Sequence, residues 1–186
     1  MFKRLAIPEV ILVTPKAYPD IRGYVKETWS ETAYAEPGIP SFVLELETLS
    51  YKAGTLRGLH YQLDPFAQGK FVRASAGSVF DVAIDIRVGS PTYKQWVGAE
   101  LSEENGQQLW VPPGFAHGFI TLEDNSKVMY RCSESEYQPQ AGRSILWSDP
   151  DIAIRWPILP TVIDEKDRLA PTLALAENNF VYDPAG

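Results

Sequence analysis

Ser78-Val79-Phe80-Asp81-Val82-Ala83-Ile84-Asp85-Ile86-Arg87 turns one set of residues to one side and the next set to the other, the two-residue period of a β-strand. Asp81 and Asp85 then share a face. Shorter runs of the same kind lie at 10–13, 41–46, 69–74, 107–111, 118–122 and 128–132. Between them stand turn signals: Arg22-Gly23, Ala76-Gly77, Gly89-Ser90-Pro91, Glu104-Asn105-Gly106 and Pro112-Pro113-Gly114. Fifteen prolines and 13 glycines spread along 186 residues favour many short strands over long helices. The pattern predicts an all-β jelly-roll sandwich. Helix is expected only as a turn or two over 29–35, with Ser30 available as its cap. From residue 148 onward, Asp-Pro pairs and proline-spaced apolar residues read as an extended tail wrapping over the body. The length suits one compact domain spanning 1–186, with that tail as its last part.

A formal charge of −7 argues against a protein that holds nucleic acid by neutralising phosphates, because such surfaces are strongly basic. A small phosphorylated ligand needs only a few local cations in a cleft, which a global balance does not forbid. No segment approaches the roughly 20 uninterrupted apolar residues of a membrane-spanning helix. The amino end has basic residues before an apolar stretch, but prolines interrupt it and no small-residue cleavage site follows. Cys132 stands alone, so no intramolecular disulfide forms, and it reads as a small core thiol. A cytoplasmic protein is expected.

The chain has two histidines. A mononuclear site of three or four His and carboxylate ligands would use both and remain short of nitrogen, which disfavours a catalytic metal. An iron site of two histidines and one carboxylate is what counting alone still allows. His60 lies in Leu56-Arg57-Gly58-Leu59-His60-Tyr61-Gln62. Alternation puts Leu56, Gly58, His60 and Gln62 on one face and Arg57, Leu59 and Tyr61 on the other. A glycine inside a strand often marks a bulge or the close approach of a ligand or another backbone. The plain alternative is a histidine satisfied by a neighbouring carbonyl. His117 follows the turn in Trp110-Val111-Pro112-Pro113-Gly114-Phe115-Ala116-His117-Gly118-Phe119, a phrase rich enough in aromatics to wall a pocket for a ring-shaped ligand. A surface histidine is the alternative there. Arg22, Glu27, Lys70, Arg73, Asp81, Tyr130, Tyr137, Lys166 and Asp167 complete the polar candidates. Spacing alone does not assemble them.

Seven phrases in order carry a resemblance: Asp20-Ile21-Arg22-Gly23 with Glu27; Leu56 to Gln62; Gln68-Gly69-Lys70; Phe80 to Asp85; Gly89-Ser90-Pro91-Thr92; Trp110 to Phe119; and Glu165-Lys166-Asp167. From about Pro15 to Pro171 the chain resembles the dTDP-4-dehydrorhamnose 3,5-epimerase family. The resemblance implies a cupin-type jelly roll without metal or cofactor, a homodimer, and a nucleoside-diphosphate 4-keto-6-deoxy sugar as substrate, dTDP-linked. It implies His60 as the base, Asp167 holding its other ring nitrogen, Tyr130 as the acid that reprotonates C5, and Lys70 as the cation beside the enolate oxygen. Asp81 is implied to orient His60 or Lys70. Arg22, Arg57, Gln62, His117 and Lys166 are implied to bind diphosphate and sugar, with Tyr137 stacking on the base and Glu27 accepting from the nucleotide.

The chain departs from the family at Glu45-Leu46-Glu47, where a Gln-Asp-Asn stretch is usual. Glu45 and Glu47 thus set carboxylates where amides help hold the substrate. Gly142 stands where an acidic residue precedes Arg143, and the segment around Tyr137 is one residue longer. Rival expectations are an epimerase acting at C3 or C5 alone, one using a CDP- or GDP-linked sugar, a non-catalytic sugar-nucleotide-binding cupin, and a cupin-shaped metal oxygenase.

Overall fold

The structure, a computed structural model, describes residues 1–184; the last two residues of the expected tail lie outside the described residues. Its strands are β1 (Phe2–Arg4), β2 (Ile11–Val13), β3 (Ala17–Asp20), β4 (Gly23–Lys26), β5 (Leu44–Ser50), β6 (Thr55–Gln62), β7 (Lys70–Ala76), β8 (Ser78–Asp85), β9 (Trp96–Ser102), β10 (Gln108–Val111), β11 (Phe115–Thr121), β12 (Ser126–Cys132), β13 (Gly142–Ser144) and β14 (Val162–Ile163). Two short helices, α1 (Glu31–Ala35) and α2 (Glu165–Arg168), interrupt them. One sheet runs β1-β2-β10-β7-β12-β5; the other runs β13-β6-β11-β8-β9, with β14 beside β6. The all-β jelly roll read from the alternation is what forms, and Ser30 caps α1 by accepting from Ala33 N.

The period of two in β8 sorts its side chains between two cores. Val79 and Ala83 point between the sheets, where they meet Val72, Leu109, Phe119 and Val128. Val82 and Ile84 point the other way and pack under Ile145, Ile152 and Leu173, with Trp156 and Phe180 partly buried against them. Each such side chain contributes about 1.5–3 kcal/mol when fully buried, so the polypeptide after β13 is held to the second sheet by its own apolar residues. The first sheet is covered in the same manner by Trp29, Tyr34, Ile39 and Phe42 over Phe71 and Trp110. Asp85, fully buried, takes the Arg87 guanidinium and the hydroxyls of Ser90 and Thr92. Burial would raise its carboxyl, but the hydrogen bonds from Arg87, Ser90 and Thr92 overcome this and hold it below the usual carboxylate range. The Gly89-Ser90-Pro91-Thr92 phrase is thus a turn tied to the end of β8.

One sequence-based expectation is corrected in β6. On β11, His117 stands opposite His60 and Phe119 opposite Arg57, so between these pairs two residues of β6, Gly58 and Leu59, face one of β11, Gly118. This extra residue is a bulge, and it reverses the phase of the strand. Arg57 therefore lies on the same side as His60, its guanidinium reaching Ser50 Oγ and the Leu49 carbonyl at 3.1 Å. The cause is glycine on glycine. Gly58 has φ +116°, and a Cβ there would come within 2.7 Å of Gly118 Cα and of the His117 carbonyl. The close approach that a mid-strand glycine suggests is made here by the neighbouring backbone.

Candidate active site

Between the sheets lies a cavity of about 700 Å³. Arg57, His60 and Gln62 from β6, Lys70 from β7, His117 from β11, and Tyr130 and Cys132 from β12 reach it, and α2 closes one side with Lys166 and Asp167. The parallel pairing of β14 with β6 carries the chain to α2, whose first turn is capped by Asp164 accepting from Lys166 N. That turn buries Asp167. Its Oδ1 lies 2.7 Å from His60 Nε2, and its Oδ2 accepts from Gly58 N at 3.1 Å. The bulge that aims His60 thus also supplies a backbone donor to its partner.

Burial pushes His60 below the ordinary histidine value; Asp167 opposes this, while the nearby charges of Lys70 and Lys166 push the same way as burial. At Asp167, burial acts to raise the carboxyl, but the hydrogen bond and charge of His60 and the Gly58 N–H overcome it and keep the group below its usual range. Near neutral pH the pair is a neutral imidazole beside a carboxylate. An acceptor at Nε2 requires Nε2 to carry the hydrogen, which leaves Nδ1 unprotonated. No protein group among the described residues bonds Nδ1.

Asp81 occupies a different place from the one the resemblance implies. Both of its oxygens lie 2.9 Å from His117 Nε2, so it orients His117 and not His60; Phe119 of β11 stands opposite Asp81 in the ladder, which brings His117 within reach. It acts on Lys70 through charge alone. Burial lowers the Lys70 ammonium, against which Cys132 and Asp81 act to raise it. Among the described residues Lys70 makes no side-chain hydrogen bond or ion pair with the protein. Tyr130 is raised above the usual phenol value, first by burial and then by Cys132 and Tyr137, with Arg57 opposing. It keeps its proton.

Gln62 shapes the mouth of the cavity. Its amide nitrogen donates to the Phe66 carbonyl at 2.7 Å and its oxygen accepts from Gln138 N at 2.7 Å, which fixes the segment that presents Tyr137. Six candidates lie outside this cavity: Asp81, bonded to His117; Arg73, whose Nη2 donates to Met129 Sδ; and four more. Arg22 is on the tip of the β3–β4 hairpin, exposed and bonded to Asp20; Glu27 offers only its carbonyl, to Tyr34 Oη. Glu45 and Glu47 pair with Arg131 and Lys127, while the alternate residues Leu46 and Thr48 line the cavity. Thr48, Gln68, Cys132, Arg143, Ser144 and Asp164 line it too and were not singled out as site residues. Cys132 carries a signal, since it lies two residues beyond Tyr130 on one strand; for Arg143 only the register of β13 on β6 reveals the placement. Among the described residues, no group of three or more His, Cys, Asp or Glu stands together as metal ligands do.

The model of the family described as dTDP-4-dehydrorhamnose 3,5-epimerase matches residues 4–175. A relative of that name from Sinorhizobium fredii is 48% identical, over 97% of this chain and 93% of its own. Another of that name, from Pseudomonas aeruginosa, is 46% identical over 94% and 96%. The crystal structure of a dTDP-6-deoxy-D-glucose-3,5-epimerase from Legionella pneumophila in complex with dTDP-4-keto-L-rhamnose superposes with a TM-score of 0.89 at 44% identity, over 94% of this chain and 93% of that one. Family model, sequence relatives and architecture agree along nearly the whole length, and the chain belongs to the dTDP-4-dehydrorhamnose 3,5-epimerase family.

Proposed function

We propose that the protein is an isomerase that inverts C3 and C5 of dTDP-4-keto-6-deoxy-D-glucose to give dTDP-4-keto-L-rhamnose. The observation that carries this reading is the neutral His60, held by Asp167 with Nδ1 free, in one cavity with Lys70 and the protonated Tyr130. A ketone at C4 acidifies the hydrogens at C3 and C5. When His60 Nδ1 takes the proton, the C–H electron pair delocalises onto the ketone oxygen as an enolate, and Asp167 stabilises the imidazolium that forms. A base so positioned is worth about 10² to 10⁴ in rate. Lys70, a cation without an ion-pair partner in the described protein, stabilises the enolate oxygen. Return of a proton to the opposite face inverts the centre, and Tyr130 supplies it at C5. No cofactor enters this chemistry.

Arg57 and Lys166 supply donors for the diphosphate and sugar, His117 offers Nδ1 as an acceptor to a sugar hydroxyl, and Tyr137 stacks on the base. A cytoplasmic homodimer gives Arg22 and Glu27 a role: the β3–β4 hairpin, with Tyr18, Ile21, Tyr24 and Val25 exposed, reaches a second copy and brings them to that copy's cavity. Light scattering of the purified protein tests the dimer, and a monomer would remove this role. Among the described residues no helix is long and apolar enough to cross a membrane.

The test of the activity is proton NMR of dTDP-4-keto-6-deoxyglucose in deuterated water with catalytic protein. Loss of the C3 and C5 signals with a changed product supports the 3,5-epimerase. Loss of C3 alone makes it a 3-epimerase. Absence of exchange overturns the reading and points to a CDP- or GDP-linked sugar or to binding alone.

A further inference from the structure

Arg143 lines the cavity beside Gly142 and Tyr137, yet its guanidinium is almost fully engaged within the protein. Nη1 donates to the carbonyls of Gln140 and Gly142 at 2.9 and 2.8 Å. Nε and Nη2 both donate to Glu177 Oε2, at 2.8 and 2.5 Å. Glu177 lies just beyond the family match, which ends at residue 175, in a stretch fastened at several points. Its carbonyl accepts from Tyr61 Oη, Asn178 Nδ2 donates to the Ile86 carbonyl, and Asn179 exchanges two hydrogen bonds with the Asp64 backbone. Phe180 packs on the second core, and Val181 bridges Val88.

We infer that Glu177 is a positioning residue for the nucleotide end of the cavity: it locks Arg143, and through Arg143 the 137–142 segment that presents Tyr137. Gln62 holds that segment from the cavity side through Gln138 N, and Arg143 with Glu177 holds it from the other. Gly142 makes this bracing necessary, because a glycine contributes no side-chain contact and leaves its backbone free to move. An ordinary exposed ion pair contributes little to stability. Here one guanidinium joins two backbone carbonyls and a carboxylate, which ties the 140–142 backbone to the stretch at Glu177. The inference rests on the proposed function for the identity of the ligand, not for the bracing itself.

The test uses the full chain. Glu177→Gln should raise KM for dTDP-4-keto-6-deoxyglucose and Kd for dTDP about tenfold, with kcat for C3 and C5 exchange within about twofold. Glu177→Asp, which keeps the charge, should recover part of the loss. Amide hydrogen exchange at Ala141 and Gly142, both donors to the Gln138 carbonyl, should quicken in Glu177→Gln whatever ligand the protein takes. Asn179→Ala loosens the same stretch without touching Arg143 and should leave KM unchanged. Unchanged amide exchange in Glu177→Gln, a kcat that falls as far as kcat/KM, or an equal KM rise in Asn179→Ala would each overturn the inference. If the wild type does not epimerise the substrate, the proposed function fails while amide exchange still decides the role of Glu177.

Discussion

The two histidines face each other across β6 and β11, and each joins its Nε2 to a buried carboxylate. His60 meets a carboxylate that divides itself between the imidazole and Gly58 N, and its side chain stays 34% exposed toward the cavity. His117 takes both oxygens of Asp81, and its side chain is 7% exposed. The same chemical pair thus occurs twice with different consequences. A carboxylate fixes the tautomer in either case, but the more exposed imidazole is the one placed to remove a substrate proton. Access, more than the partner, separates the proposed base from the proposed binding residue.

The comparison breaks most visibly at His60. Its replacement by Ala should slow exchange at both C3 and C5 by about 10² to 10⁴; NMR exchange at the wild-type rate would remove it as the base. Gly58→Ala attacks the geometry that sets the two histidines face to face. A Cβ at that φ collides with the β11 backbone at Gly118 and His117, so a loss of about 3 kcal/mol is expected in denaturant unfolding. Tyr130→Phe sharpens the assignment of the acid: C5 exchange should fall by about 10² and C3 exchange by less, and equal losses would contradict it. His117→Asn should raise KM about tenfold and spare kcat, the loss of about one hydrogen bond to a sugar hydroxyl; a collapse of kcat as deep as that of His60→Ala would erase the distinction drawn here. The smallest effect is in pH. The proposed base acts when neutral and burial lowers its pKa, so the acid limb of kcat/KM lies below the ordinary histidine value of 6.5. An acid limb at or above 6.5 in the pH–rate profile would show that burial does not dominate.

Much of the fold was legible in local pattern. β8 announces itself by a period of two, α1 by its Ser30 cap, and the covering segment after residue 148 by its spaced prolines and apolar residues. The strand carrying His60 was legible, but not its phase: Arg57 was placed opposite His60 because the pairing of Gly58 with Gly118 cannot be read from either strand alone. Glu45 and Glu47 show the converse. Their position against the family pattern suggested an altered site, whereas alternation turns both away from this cavity toward Arg131 and Lys127 and leaves Leu46 and Gly142 as departures that line it.

By itself the sequence determined the strand period, the turns, the scarcity of histidine and the family, because each depends on neighbours along the chain or on residue identity. Only the tertiary structure decided which carboxylate serves which histidine. Asp167 reaches His60 across 107 residues of chain and Asp81 reaches His117 across 36, and such partners are chosen by strand register and the placement of a capped helical turn. Tertiary packing likewise left one imidazole open and buried the other, which is the physical difference between the proposed base and the proposed binding residue.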